Sequence, residues 1–370
     1  MTVLRQGAFA AARPLPSHVL NPNVHRHMRP LAQAFAIDVT TLSALRLPPD
    51  LECVRFRRST IPNPVASIVV PVRNRRHTLG RALTSALALN EAVPIEVIVV
   101  DDGSDDGTTE LVGILADARI SAVGLRKCRG ANTARNVGIA IARAPVVAFL
   151  DSDDDYMEGR LADPLRLLAK HPNVGIVLSS FVARKGEVAR VLRLRECIYD
   201  SGTFLRLIAG YVLPPSTSGL TIRRDVLLAC GGFDPEVKRM QDRDLLLRLA
   251  PTTNAAASAV VSWRKYWGFD GISSSRLTYY EALCEFLKRH PIYGAEKLTT
   301  RDYLITRHLI ALIKRGYATR ALEVYRHART SLSPRVAPLP LLLISYLKTK
   351  RRRRRVASQF LSKDSQLTGL

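Results

Sequence analysis

The spacing of apolar positions changes several times along this chain, and the changes come in a regular order. Ala66–Val72 is a nearly unbroken apolar, β-branched run bounded by Asn63-Pro64 and Asn74, which predicts a strand buried on both faces. Residues 78–89 then place Leu79, Leu83, Ala86 and Leu87 at helical spacing. The same alternation predicts strands at 96–100, Ile120–Leu125 and 146–150, with helices at 108–116 and 131–143 between them. Strand and helix alternating at this length predict an α/β fold, a mostly parallel sheet flanked by helices. Ligands of such sheets bind outside the carboxyl ends of the strands. The polar clusters fall at those ends: Arg73-Asn74, Asp101-Asp102-Gly103-Ser104, Arg126 and the acids of 151–155.

After Tyr156 the alternation loosens. Helices are expected at 161–169, 201–207 and 245–249, and strands at 174–181 and 219–222. From 278 onward the pattern is helical, with 303–314 and 319–328 forming an antiparallel hairpin around Arg315-Gly316. Residues 1–62 are rich in Pro, Arg and Ala and weakly periodic, which predicts an extension that packs on the main domain or stays partly disordered, with a short helix at 39–45 as an alternative. The expected organisation is a basic extension at 1–62, the α/β domain at 63–276, a helical region at 277–347 and a polybasic tail at 348–370.

Composition narrows the setting. The chain of 370 residues is 47% hydrophobic and 24% charged, a globular balance. No apolar run has the roughly 20 residues of a spanning helix, and a signal peptide is not expected. The five cysteines are scattered, fitting neither a disulfide framework nor a zinc spacing, and point to a reducing cytoplasm. The net charge of +23 speaks to partners rather than to fold. Aromatic residues make up only 6% and do not interleave with the basic ones, which argues against nucleic acid. Near the C-terminus, the apolar stretch 338–347 is followed by Arg351 to Arg355. That pairing suits peripheral attachment to an anionic membrane surface, and equally a core helix with a solvated tail.

The candidate chemistry centres on 146–155, Val-Val-Ala-Phe-Leu-Asp-Ser-Asp-Asp-Asp. Asp151 and Asp153 leave an extended backbone on the same side. Carboxylates so crowded need a neutralising partner, and Mg²⁺ takes one or two of them while keeping room for phosphates. Asp101 abuts the second strand, with Gly103 and Gly107 allowing the turns that follow. Gly130 before the helix at 131 opens backbone N–H groups to an anion, and Arg135, one turn in, can reach a diphosphate. Asp242 opens a helix, where it is either a cap or a general base.

In order and spacing, the strings Ser67-Ile-Val-Val-Pro-Val-Arg-Asn74, Val99-Val-Asp-Asp-Gly-Ser104, Ala134-Arg-Asn-Val-Gly138, Phe149-Leu-Asp-Ser-Asp-Asp154, Gly231-Gly-Phe-Asp234 and Gln241-Asp-Arg-Asp-Leu245 resemble the family 2 glycosyltransferases of GT-A fold, over about 65–275. The resemblance implies an inverting, metal-dependent transfer from a nucleotide-sugar, a UDP-sugar by default, to a glycan or lipid-linked acceptor. It implies that Pro71, Arg73, Asp101 or Asp102, Arg135, Asp151 and Ser152 hold the nucleotide. Asp151 and Asp153 would be the Asp-x-Asp pair holding Mg²⁺ or Mn²⁺, and Asp242 the catalytic base. Three positions depart from the family: Arg73 replaces a more usual aromatic, Gln241 precedes Asp242 where Glu is common, and 267–273 lacks a histidine, with Asp270 or water as its substitute. A nucleotidyltransferase, a basic nucleic-acid-binding protein and an inactive family member are the alternatives.

Overall fold

The computed structural model describes residues 22–89, 93–114, 117–267, 279–295, 300–332 and 336–362. Eleven strands form one sheet: β1 (Cys53–Arg57), β2 (Ala66–Val72), β3 (Ile95–Asp101), β4 (Ile120–Leu125), β5 (Val146–Phe149), β6 (Asp155–Tyr156), β7 (Val174–Lys185), β8 (Val188–Leu192), β9 (Cys197–Tyr199), β10 (Leu220–Arg223) and β11 (Asn254–Tyr266). Their order is β1-β4-β3-β2-β5-β10-β7-β11-β6, with β8 on β7 and β9 on β11. β4, β3, β2 and β5 run parallel, as do β7 and β11, while β1 and β10 pair antiparallel with their neighbours. The fold is therefore α/β, a mixed and mostly parallel sheet flanked by helices, as the alternation predicts.

Every residue of β2, β3 and β5 is buried, which is why these strands read as continuous apolar runs. The helix Ala131–Ile141 lies against β2 so closely that a Cβ on Gly138 would come within 2.4 Å of Val69 Cγ1. Glu96 is buried in β3, and its carboxylate accepts from Ser67 Oγ at 2.7 Å and from Arg143 N and Nε at 2.8 and 3.0 Å. That satisfies a charge which would otherwise be costly in a core strand.

Three segments differ from the expectation. Within 1–62, the helix Pro22–Phe35 buries Met28, Leu31 and Phe35, and β1 adds an antiparallel edge to β4. β11 was not legible as a strand, because its first half, Asn-Ala-Ala-Ala-Ser-Ala, is poor in β-forming side chains. Its small residues fit a site enclosed by β7 and β9. Finally, Leu339–Phe360 is a single helix running through both the apolar stretch and the arginines, across the boundary drawn at 347. Its end is tied down by Arg195 N to Phe360 O and Ser362 N to Arg193 O, each 2.9 Å. The expected hairpin is present as Thr300–Ile313 and Ala318–Ser331, turning at Gly316 with φ of 84°.

Gly138→Ala drives a methyl into Val69, and we expect it to lower unfolding stability by about 1–3 kcal/mol in urea titration, with an unchanged m-value.

Candidate active site

The turns at the carboxyl ends of β2 and β3 hold each other. Asn74 sits at φ of 50°, its N–H donates to Ser104 Oγ at 2.9 Å, and its side chain exchanges hydrogen bonds with Asp105 at 2.8 and 3.0 Å. Asp101 accepts from Ser104 N at 3.0 Å and also from the Ser104 and Thr109 hydroxyls. Asp102 accepts from Arg129 N at 2.6 Å and Gly130 N at 2.8 Å. Both carboxylates thus build the loops around the site, a role the sequence did not separate from ligand contact. Pro71 is buried in β2 opposite Val100, and Arg73 is exposed on the loop beyond it.

The acidic tip follows β5. Asp151 Oδ1 accepts from Arg135 Nη2 at 2.7 Å, and Ser218 Oγ meets Asp151 N at 3.0 Å. Arg135 is almost fully buried, with Asn132 Oδ1 3.2 Å from its Nη1 and the Phe233 ring 5.2 Å from its Cζ. Ser152 is buried, and Asp153 is half-buried. Burial and the Asp151 charge push the Asp153 carboxyl up, against Lys265 and Arg75. Asp154 accepts from Ser218 Oγ at 2.7 Å and Tyr266 N at 3.1 Å, and burial pushes it up to about 7. Asp155 faces away from this group and pairs with Arg81 Nε at 2.6 Å and Tyr266 OH at 2.8 Å.

Lys265 was missed at the sequence level. Burial alone would lower its ammonium, yet Asp154, Asp151, Asp153 and Asp242 together hold it above the ordinary lysine value. Its Nζ also donates to Ser216 Oγ at 3.2 Å. The signal that would have found it is the register of β11 on β6, where Arg264 pairs with Asp155 and so brings the next residue beside Asp154. No sequence motif marks it.

Asp242 lies in the first turn of the helix Gln241–Leu249, which starts after Met240 at φ of 58°. Its Oδ1 accepts from Arg243 N at 2.7 Å, and burial pushes its carboxyl up, offset in part by Arg243 and Lys265. Two residues on, Asp244 accepts from Arg248 Nη2 at 2.9 Å and meets His290 Nε2 at 3.0 Å. Burial would raise it, but His290 and Arg248 hold it below the usual carboxylate range. The segment leading into the Asp242 helix is joined to the Arg135 helix by side-chain amides. Asn132 Nδ2 donates to Asp234 O and Val237 O at 2.7 and 3.0 Å, and Asn136 Nδ2 to Phe233 O at 2.8 Å. A groove of about 260 Å³ opens between them, lined by Gly130, Ala131, Asn132, Lys238 and Gln241 among others. A larger cavity of about 440 Å³, at Ser85, Leu89 and Tyr156, contains none of the predicted site residues.

Asp151, Asp153, Arg135 and Asp242 therefore come together around Lys265, whereas Pro71, Arg73, Asp101 and Asp102 line the neighbouring strand ends. Among the described residues no cluster of three or more His, Cys, Asp or Glu forms a cation cage. Two acids with raised or shared charge beside an open groove do fit a cation that takes its remaining ligands from phosphate and water. Residues 268–278, including Asp270, lie outside the described residues.

Comparison with known proteins shows what this chain is similar to. A family model, "Glycosyl transferase family 2", matches residues 67–228. Over that stretch the chain is similar to glycosyl transferase family 2. "Succinoglycan biosynthesis protein ExoO" of Rhizobium meliloti (strain 1021) is 29% identical over 327 residues, 75% of this chain and 92% of that protein. A beta-1,3-glucosyltransferase of Escherichia coli, WfaP, named for UDP-Glc and a GlcNAc-diphosphoundecaprenol, is 32% identical over 104 residues, 28% of this chain and 41% of its own length. Among solved structures, S. aureus TarS 1–349 with UDP-GlcNAc aligns at a TM-score of 0.52 and 18% identity, over 80% of this chain and 91% of that chain. The mannosyltransferase PcManGT of Pyrobaculum calidifontis, with GDP-Man and Mn²⁺, aligns at 0.50 and 19%, over 92% and 94%. These likenesses carry the GT-A fold.

Lys265→Met leaves the acids uncompensated. We expect a loss of roughly 1–3 kcal/mol in chelator-containing buffer at pH 8. The loss should shrink toward pH 5, where Asp154 takes up its proton, and thermal melts at both values check it.

Proposed function

We propose that this chain moves a sugar, with inversion, from a nucleoside-diphosphate-sugar to an acceptor hydroxyl on a glycan or lipid-linked glycan. The observation that carries the reading is the pairing of Arg135 with Asp151 and the gathering of Asp151, Asp153, Asp154 and Asp242 around the Lys265 ammonium. UDP is the favoured carrier, on the wording of the TarS and WfaP descriptions. The setting proposed is the cytoplasm or the inner face of the cytoplasmic membrane.

In this reading the donor lies across the carboxyl ends of β2, β3 and β5, its base toward Pro71, Arg73 and the Asp101-Asp102 turn and its ribose toward Asp151 and Ser152. Asp153, with the free oxygen of Asp151, would hold Mg²⁺ or Mn²⁺, which when bound supplies positive charge to the leaving diphosphate. Arg135 and Lys265 add fixed positive charge at the same place, and being already ordered they need no reorganisation as the bond breaks. Asp242 takes the acceptor proton at its free Oδ while the acceptor oxygen attacks the anomeric carbon from the opposite face. Its burial suits that task, because a raised carboxyl is a better proton acceptor near neutral pH than an ordinary one. Gln241 carries no charge beside it and leaves this assignment intact.

Screening nucleotide-sugars for thermal stabilisation, with and without Mn²⁺, tests the donor class, and product analysis tests the reaction. Release of pyrophosphate in place of nucleoside diphosphate would overturn it. Asp242→Asn should lower kcat by about 10²–10⁴ with donor affinity nearly unchanged; equal loss of both would remove Asp242 from the base role. Since Asp242 must be ionised to accept the proton, kcat/KM should fall with decreasing pH along a limb above the ordinary carboxylate value of about 4. Asp153→Ala should abolish the Mn²⁺ dependence of donor binding in calorimetry, and an unchanged Mn²⁺ titration would contradict the assignment.

A further inference from the structure

The helix Leu339–Phe360 has two different faces. Leu342, Thr349 and Arg353 turn inward, with Tyr346 on the same stripe, a spacing of three or four residues. Arg353 donates to Tyr211 O and lies 4.5 Å over the Tyr303 ring, and Tyr346 stacks on Tyr303 at 5.2 Å. The outward face is apolar at its start and cationic at its end. Leu341, Leu343, Ile344 and Leu347 are 57%, 44%, 48% and 54% exposed, and Arg351, Arg352, Arg354 and Arg355 are exposed beyond them. The helix contains no Asp or Glu.

We propose that this outward face is a membrane-docking surface for an anionic phospholipid bilayer, Leu341, Leu343, Ile344 and Leu347 entering the acyl boundary and the outward arginines holding lipid phosphates. Among the described residues no helix is long and apolar enough to cross a membrane, so the helix lies on the surface. A second copy fits the face poorly, since it would set arginines against leucines or against arginines with no acid to pair them. Charge complementarity with an anionic surface meets both halves at once, and two weak signals together make attachment stable.

Docking there would set the bilayer against the far side of a helix that is tied, through Arg353 and Tyr211, to the segment bearing the proposed base. Arg353 holds Tyr211 O; the Tyr211 hydroxyl meets Met240 Sδ at 3.3 Å and its ring packs 3.6 Å from Arg243 Cζ. Met240 and Arg243 flank Gln241 and Asp242. A lipid-linked acceptor would then arrive where Asp242 opens its helix. This purpose rests on the function proposed above, whereas the docking itself does not.

The test is co-sedimentation of the full-length protein with vesicles of phosphatidylcholine alone or with phosphatidylglycerol added, without donor or acceptor. Binding should require the anionic lipid and weaken with salt. Arg351→Gln, Arg352→Gln, Arg354→Gln and Arg355→Gln combined should weaken it by roughly fivefold per arginine. Leu343→Ser, Ile344→Ser and Leu347→Ser combined should weaken it at least tenfold or so. Because all seven side chains are exposed, both variants should keep the parent melting temperature and donor-induced stabilisation. Equal binding to neutral vesicles, unchanged binding in both variants, or a dimer in light scattering that the serine variant dissociates would each overturn the proposal. Vesicle binding without any sugar transfer would defeat the proposed function and leave the docking standing.

Discussion

Negative charge concentrated at the end of β5 is the constraint around which the site is arranged. Asp151, Asp153 and Asp154 follow a fully buried strand, and Asp242 arrives from a helix nearly a hundred residues later. Half-removed from water, such carboxylates repel one another and are driven toward protonation. The chain meets that cost with ordered cations: Arg135 on Asp151, Lys265 among the acids, and Arg81 on the outlying Asp155. Hydroxyl and amide donors complete the arrangement, Ser218 bridging Asp151 N and Asp154.

The second requirement is distance. A transferase needs its leaving-group contacts and its base on opposite sides of one reacting carbon, and misplacement by an ångström is expensive. In the proposed function those parts fall to Arg135 and Asp242, which ride on different helices, with Asn132 and Asn136 reaching from the first into the 233–237 segment that leads to the second. Asn136 also accepts from Phe233 N at 2.8 Å, so its amide is used at both ends. Gly232 makes room for that amide: at φ of 66°, a Cβ there would fall 2.4 Å from Asn136 Oδ1. The Gly231-Gly-Phe-Asp234 string is thus a spacer that sets the groove width, with Arg46 and Arg289 both bonded to Asp234 behind it.

How far all this could be read in advance depends on the range of the interaction. β2, β3 and β4 were legible almost to the residue, since strands buried on both faces must be continuously apolar. The acidic tip and Asp242 stand at element boundaries and Arg135 one turn into its helix, so the sequence singles them out, and the fold brings Arg135 onto Asp151. What escaped depends on pairing across long sequence separations. β11 is alanine-rich where its neighbours leave little space, so its propensity misleads. Lys265 is ordinary in sequence and becomes special only by its register on β6. Asp101 and Asp102 show the converse: their position suggests a ligand, while the folded loops already use their oxygens for turn geometry.

Lys265 also changes how the missing histidine should be weighed. A histidine near this point offers a lone pair to a cation, whereas an ammonium offers three donors and a compact charge. The two do opposite things to a divalent ion, one holding it and the other competing with it for the same carboxylates. Yet both favour a diphosphate. With Lys265 already among Asp151, Asp153 and Asp154, part of the positive charge that the proposed function needs at a leaving diphosphate would be permanent and belong to the chain. The carboxylates left to a cation are correspondingly fewer, and the donor's own phosphates must supply more of its coordination. Metal and donor should then bind as one unit, each weak without the other, because neither the acids nor the phosphates complete the shell alone.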